Sequence, residues 1–416
     1  MAIVRPFKGL RPVVDKVEEV ASLPYDVMNR AEANVLAEGK AWSFLHVVRP
    51  EIDLPDEVDL HDDQAYAKAR ENLDKFQAEG VLVQDQDPVY YIYRQLMFGR
   101  VQTGIVACTS IDEYMNETIK KHEFTRPEKE EDRIRNFDTC DANTAPIFLT
   151  YRRNEVIHRA TNDWIKFHKP VYNFTSEDDI QHIVWKIDDA DVVAEIQEAF
   201  NHVEYLYIAD GHHRSASSVK VGLKRREQFP NFTGEEEFNF FMSVIFPDED
   251  LFIMDYNRVV EDLNGASPEE FMAAIEKDFT VEAAEGDGPY HPKKSHEVGM
   301  ILRDKWYRLT MKEGSFDAED PVESLDCAIL QKNLLQPILG IEDPRTSNRI
   351  QFIGGIRGLE ELEKRVATDM AVGFAMYPTT IEELINVADA GRVMPPKSTW
   401  FEPKLRSGLF VHKLGE

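Results

Sequence analysis

An α/β (α+β) fold is predicted for this chain by three observations. Short apolar runs of strand character alternate with amphipathic runs of helical period along most of its length. The stretch 189–228 reads in order as helix, buried strand, Asp-Gly turn and helix, which is one α/β unit. At 416 residues the chain is longer than one ordinary core requires, so an additional α/β C-terminal region is expected.

The elements follow in order. After a loop-like opening, a helix is expected from about Asn29. "DDQAYAKARENLDKFQAEG" (62–80) has helical period and ends on Gly80, suited to the left-handed position after a helix. "PVYYIYRQLMFG" and "VQTGIVACTSI" read as strands with a turn near Gly99. The charged "DEYMNETIKKHEFTRPEKEEDRIRNF" has a helix tendency interrupted at Pro127. "APIFLTYR" and "IVWKI" again read as strands. In "DADVVAEIQEAFNHV", Val192, Val193, Ile196 and Phe200 make an apolar helical face. "EYLYIA" is a short buried strand, and "HRSASSVKVGLKRREQF" returns to helix. "FFMSVIFPDEDLFIMDYNRVV" reads as a hairpin around 247–250. "SPEEFMAAIEKDF" opens with Ser267 as N-cap, Pro268 at the first helical position and Glu270 completing a capping box. Beyond Gly288, strands are expected near 298–311 and 369–376, and helices near 321–338, 357–367 and 380–390. No repeat or Gly/Ser-rich linker marks a boundary. The division is drawn at 1–265 and 266–416, inside the stretch 262–290.

Composition narrows the function. Lys+Arg 48 against Asp+Glu 76 gives a formal charge of −28, a field that repels a nucleic-acid backbone. No apolar run approaches a membrane span, and "MAIVRPFKGLRP" lacks the apolar stretch of a signal peptide. The three cysteines, Cys108, Cys140 and Cys327, are far apart with no CxxC spacing. A cytoplasmic protein without nucleic-acid or membrane partners is expected. If an acidic chain handles phosphate, it must gather basic groups locally or recruit a cation.

The known phosphate and metal fingerprints are missing. There is no GxxxxGK[ST], no GxGxxG and no HExxH, and "SSVK" stands without the partners of a serine hydrolase. Three local clusters remain. In "YIADGHHRSAS", Gly211 lets the backbone turn sharply where a strand ends. A helix starting at His212 would aim its first N–H groups at that turn, and His212, His213 and Arg214 add donors. That pattern suits a phosphate, with Asp210 left to hold a metal ion, orient a histidine or take a proton. A plain Asp-Gly turn and a metal site are the other readings of these residues. In "IKKHEFTRPEKEEDRIR", Glu123 lies among Lys120, Lys121, Arg126 and Arg133, as a general base or as part of a solvated charged segment. In "MPPKSTWFEPK", two prolines stiffen the approach to Lys397, Ser398 and Thr399, as an anion binder or as a rigid packing loop.

With "RPFKGLRP", "SLPYDV", "IKKHEFT", "YIADGHHRSAS", "YNRVVEDLNG" and "VMPPKSTWFEPKLRSGL" in this order, the chain resembles the bacterial domain-of-unknown-function family ten-fifteen over nearly its whole length. A more distant resemblance is to the free serine kinases of the ParB/sulfiredoxin-like superfamily. Those carry a Pro-His-Glu segment, a strand running into Asp-Gly-His-His-Arg, and a late Pro-Lys-Thr-Thr. The counterparts here are His122-Glu123, Asp210-Gly211-His212-His213-Arg214 and Pro396-Lys397-Ser398-Thr399. Lys121 replaces the first proline, Ser398 replaces a threonine, and the first two motifs are spaced more widely.

The resemblance implies a ParB/sulfiredoxin-like catalytic core with a mixed sheet. It implies Glu123 as base, with Asp210 and His213 also catalytic. Gly211, His212 and Arg214 would surround the phosphate or nucleotide, and Lys397, Ser398 and Thr399 would hold the substrate. The activity expected is transfer of a phosphoryl group to a free hydroxy amino acid, L-serine first, giving O-phospho-L-serine. ATP, ADP or pyrophosphate would be the donor, with Mg2+ as cofactor and Asp210 as its ligand. The alternatives are a non-catalytic nucleotide-binding switch and a phosphoserine phosphatase or phosphotransferase.

Overall fold

The computed structural model describes residues 2–286 and 288–415. It divides into a first unit, residues 1–251 with 403–416, and a second unit, residues 252–402. Both are mixtures of helix and strand, so the fold is α/β in the broad sense.

The first unit is built on a nine-stranded mixed sheet. Its order is Ile119–Lys120, Leu206–Asp210, Ile147–Tyr151, Phe240–Pro247, Arg100–Ser110, Tyr90–Met97, Gln181–Ile187 and Tyr172–Thr175, with Val4–Arg5 also pairing to Arg100–Ser110. Two pairings are parallel, Leu206–Asp210 with Ile119–Lys120 and Phe240–Pro247 with Ile147–Tyr151; the others are antiparallel. Tyr90–Met97 and Arg100–Ser110 are joined through Phe98 and Gly99, both at positive φ, the tight turn that matches strand twist. The helices Glu155–Phe167 and Ala190–Asn201 bury Ile157, Trp164, Ile196 and Phe200 in one core with Ile92, Leu149 and Ile208 of the strands. The helices Pro127–Cys140 and His212–Gln228 pack on each other around Phe137 and Val221.

Capping decides several helix starts as the sequence suggests. Asn29 and Ser267 each close a capping box, with Glu32 and Glu270, and Asp62 caps the helix Asp63–Ala78. Two expectations are corrected. Pro127 does not interrupt a helix; it begins one, at the position where a missing N–H costs nothing. The run 240–260 is not a hairpin. Both edges of Phe240–Pro247 are already taken, by Arg100–Ser110 and Ile147–Tyr151, so Tyr256–Val260 pairs instead within the second unit.

That second unit holds a six-stranded antiparallel sheet. Its order is Phe279–Ala283, Lys305–Met311, Glu297–Leu302, Val372–Met376, Tyr256–Val260, Ile350–Gly354. Val259, Ile301, Ile353 and Leu362 lie in its core. Among the described residues of the whole chain, no helix is long and apolar enough to cross a membrane.

One glycine tests the packing beneath the helix His212–Gln228. A Cβ at Gly222 would lie 2.4 Å from the Phe238 carbonyl oxygen and 2.7 Å from Ile111 Cδ1. Helix propensity alone favours Gly222→Ala by up to about 1 kcal/mol. The clash, against a backbone atom, is expected to outweigh that and destabilise the protein by about 1–3 kcal/mol in urea unfolding.

Candidate functional site

The strand Leu206–Asp210 carries buried apolar residues up to Ala209 and ends on Asp210. Its register against Ile147–Tyr151 shifts between Ile208 and Asp210, a bulge that re-aims the carboxylate at the strand end. Gly211 follows at φ 99°, ψ 31°, a left-handed conformation, and caps the helix His212–Gln228. Its missing side chain matters too. A Cβ there would sit 3.1 Å from Arg214 Nε, so the arginine folds back over the bare turn. Ser215 donates to the Gly211 carbonyl from its backbone N–H at 2.8 Å and from Oγ at 3.0 Å, closing the first helical turn.

The second motif arrives beside it because Ile119–Lys120 pairs in parallel with Leu206–Tyr207. The His122 backbone N–H donates to His212 Nε2 at 3.4 Å, and that of Arg126 donates to His213 Nε2 at 3.0 Å. A backbone N–H can only donate, so both imidazoles accept at Nε2 and, when neutral, carry their proton on Nδ1. His212 Nδ1 lies 3.9 Å from Glu123 Oε2. The His122 and His212 rings meet edge-to-face, centroids 4.4 Å apart. Burial holds His212 well below the usual histidine range, with His122 adding to it, and burial takes His122 down to about 4. His213 is lowered too, by burial and then by Arg126. The three rings are therefore neutral at pH 7, and His212 and His213 offer uncharged N–H donors.

Fixed charge comes from elsewhere. Lys404 Nζ donates to Asp210 Oδ2 at 3.2 Å, and Arg214 Nη2 lies 3.6 Å from Asp210 Oδ1. Burial opposes ionisation of Asp210, but Lys404 and Arg214 outweigh it and keep the carboxyl well below the usual carboxylate range. Arg214 also donates from Nη1 to the Pro146 carbonyl and faces Asp26 Oδ2 at 4.0 Å. This donor set does not fit a protein-held Mg2+ at Asp210: both carboxylate oxygens face cations. Among the described residues no three His, Cys, Asp or Glu side chains converge as a metal cage.

The third motif lies in the second unit. Lys397 is exposed and takes φ 60°, and its carbonyl accepts from Arg258 Nη2 at 3.1 Å. Ser398 is buried, with Oγ donating to the Pro395 carbonyl at 2.6 Å and 3.0 Å from Cys327 Sγ. Thr379 Oγ1 donates to the Ser398 carbonyl at 2.8 Å, and Thr399 is half-buried. The Ser398 hydroxyl thus braces its own loop.

The profile of the family described as "Protein of unknown function (DUF1015)" matches residues 4–328. The chain belongs to that family. Among solved structures, this DUF1015 chain is similar to SbnI with C-terminal truncation from Staphylococcus aureus, at 12% identity and TM-score 0.39, covering 74% of this chain and 86% of that one. It is also similar to a free serine kinase in complex with AMP, at 13% identity and TM-score 0.37, covering 74% and 91%. A conserved hypothetical protein from Pyrococcus furiosus is similar at 14% identity and TM-score 0.35, covering 74% and 94%. No curated protein matches the chain.

Within the first unit of this DUF1015 chain, Glu123, Asp210, Gly211, His212, His213 and Arg214 come together around one turn. Motif reading alone did not assign Lys404, Asp26 or His122. Their signals were present in "EPK", "SLPYDV" and "KHE", but a charged residue far along the chain has no partner until the fold supplies one.

The buried histidine gives a pH test. His122 titrates near 4 when folded and near 6.5 when unfolded, so the unfolded chain takes up the proton first as pH falls. Its contribution is present above pH 6.5 and is lost between there and about 4. Glu113, whose carboxyl burial pushes up to about 7, titrates in the opposite sense, so the informative quantity is a difference between variants. The stability lost between pH 7 and pH 5 is expected to be smaller in His122→Leu than in the natural protein by about 2 kcal/mol, measured by urea unfolding.

Proposed function

We propose that this protein is a phosphotransferase that phosphorylates the hydroxyl of a free amino acid, L-serine first, using ATP, ADP or pyrophosphate. The observation carrying this reading is the approach of Glu123 to the Gly211 turn, 3.9 Å from His212 Nδ1 across 89 residues of sequence. The side chain of Glu123 is 39% exposed while that of His212 is 5% exposed, so a half-buried carboxylate stands on a buried support. A carboxylate open to substrate beside a set of phosphate donors is what phosphoryl transfer requires, since the protein's task is positioning and charge stabilisation.

In this reading Glu123 accepts the proton of the acceptor hydroxyl. The oxygen then bonds to the donor's terminal phosphorus as the bridging P–O bond to the leaving group breaks. The Nδ1–H groups of His212 and His213 and the Arg214 guanidinium hold the transferred phosphoryl oxygens over Gly211. Neutral imidazoles suit this role because they donate without fixing the product phosphate by charge. Asp210 orients Lys404 and Arg214 rather than touching the phosphate, which resolves the repulsion its position would otherwise create.

The test is purified protein with L-serine and MgCl2, and with ATP, ADP or pyrophosphate in turn, reading phosphoserine. Phosphoserine is expected with at least one donor, and none with any donor overturns the reading. Glu123→Gln is expected to lower turnover by roughly 10²–10⁴-fold while leaving nucleotide binding within a few-fold. Unchanged turnover in that variant removes Glu123 as base.

A further inference from the structure

Two buried arginines, Arg214 in the first turn after Gly211 and Arg133 on another helix, each keep an N–H without a partner. Arg214 is 3% exposed and its Nε makes no hydrogen bond, although Nη1 reaches the Pro146 carbonyl. Arg133, from the helix Pro127–Cys140, is 4% exposed. Its Nη2 and Nε hold Asp132 at 2.8 and 2.9 Å, and its Nη1 is unpartnered. Buried arginine donors are normally satisfied, so two such atoms in one neighbourhood call for a ligand.

Tyr25 joins them. It lies in the turn Tyr25–Val27, and Arg133 Cζ sits 3.9 Å above its ring. Burial is the main influence on its phenol, and both Arg133 and Arg214 act on it electrostatically. The next residue, Asp26, faces Arg214 Nη2 at 4.0 Å with its own side chain 41% exposed. That contact is too long for a hydrogen bond and open to water. Asp26 thus sits loosely against the Nη2 edge of the Arg214 guanidinium, a place an oxyanion can take over.

We propose that Tyr25, Arg133 and Arg214 form an oxyanion seat next to the Gly211 turn, which a ligand carboxylate or phosphate enters by displacing Asp26. Three donors from segments near 25, 133 and 214 then converge on one anionic group. Asp132 and Asp210 stay paired with the two arginines, so recognition runs through directional N–H and O–H donors more than through net charge. The seat rests on the phosphoryl-transfer reading only for its choice of probes, pyrophosphate for the donor's phosphate and L-serine for the acceptor's carboxylate.

The experiment is calorimetric titration of the full chain with pyrophosphate and, separately, with L-serine, in the natural protein, Tyr25→Phe and Arg133→Lys. Tyr25→Phe keeps the ring under Arg133 and removes only the hydroxyl, so it tests the seat even where Arg133→Lys fails to fold. The expected result is binding of at least one probe, weakened about tenfold or more in each folded variant, with the urea midpoint of Tyr25→Phe unchanged. Loss confined to pyrophosphate assigns the seat to the donor, and loss confined to L-serine assigns it to the acceptor. Failure of both probes to bind the natural protein, or a folded variant that binds both as tightly, overturns the proposal. Binding is read without turnover. If the seat is confirmed while phosphoserine never forms, the kinase reading falls and the seat stands.

Discussion

Two backbone N–H groups, those of His122 and Arg126, set the chemistry of the whole site. By donating to Nε2 of His212 and His213 they fix which nitrogen of each ring holds the proton, and burial keeps the rings neutral. The arrangement depends on a short parallel pairing, Leu206 with Ile119 and Tyr207 with Lys120, which runs the two motifs side by side. It depends equally on Glu130. That carboxylate is bonded by Thr125 and Lys220, while its backbone carbonyl accepts from Ser217 at 3.0 Å. These contacts tie the start of the helix Pro127–Cys140 to the helix that opens at Gly211. Movement of either element would release both imidazoles at once.

The site also shows how a protein with a formal charge of −28 gathers positive charge where it is wanted. Arg214 and Lys404 both face the Asp210 carboxylate within the fold, so their field is largely compensated. Such a compensated cluster has little electrostatic reach into solvent.

Much of this was legible in the sequence where the cause is local. The cap at Ser267, the helix starts near Asn29 and Asp62, the turn at Gly99 and the helix face of 190–201 each rest on interactions within a few residues. The turn at Gly211 and the helix after it were legible from the Asp-Gly pair at a strand end, while its reading as a phosphate site came from the resemblance. What sequence could not supply was pairing. Nothing in "FFMSVIFPDED" says that both edges of its strand are taken, and this decides whether 256–260 folds back on it. Pro127 was read as a helix breaker because its effect changes sign with position, and only the preceding strand fixes which position it holds. Ser398 carries the same lesson: a hydroxyl in a candidate binding motif turns inward to its own loop once Pro395 and Cys327 are placed.

The strand that delivers Glu123 is two residues long and forms one margin of the nine-stranded sheet. A longer strand there would present a row of open N–H and carbonyl groups, an invitation to a second chain. Here the backbone leaves the sheet after Lys120, and its next N–H groups turn inward to His212 and His213. Lys120 itself covers the Tyr205 ring at 3.7 Å. The segment that carries the Glu123 carboxylate thus also ends the sheet. A change that lengthened this strand to rigidify the turn would trade local order for self-association, a limit to respect when this scaffold is stabilised for use at high concentration.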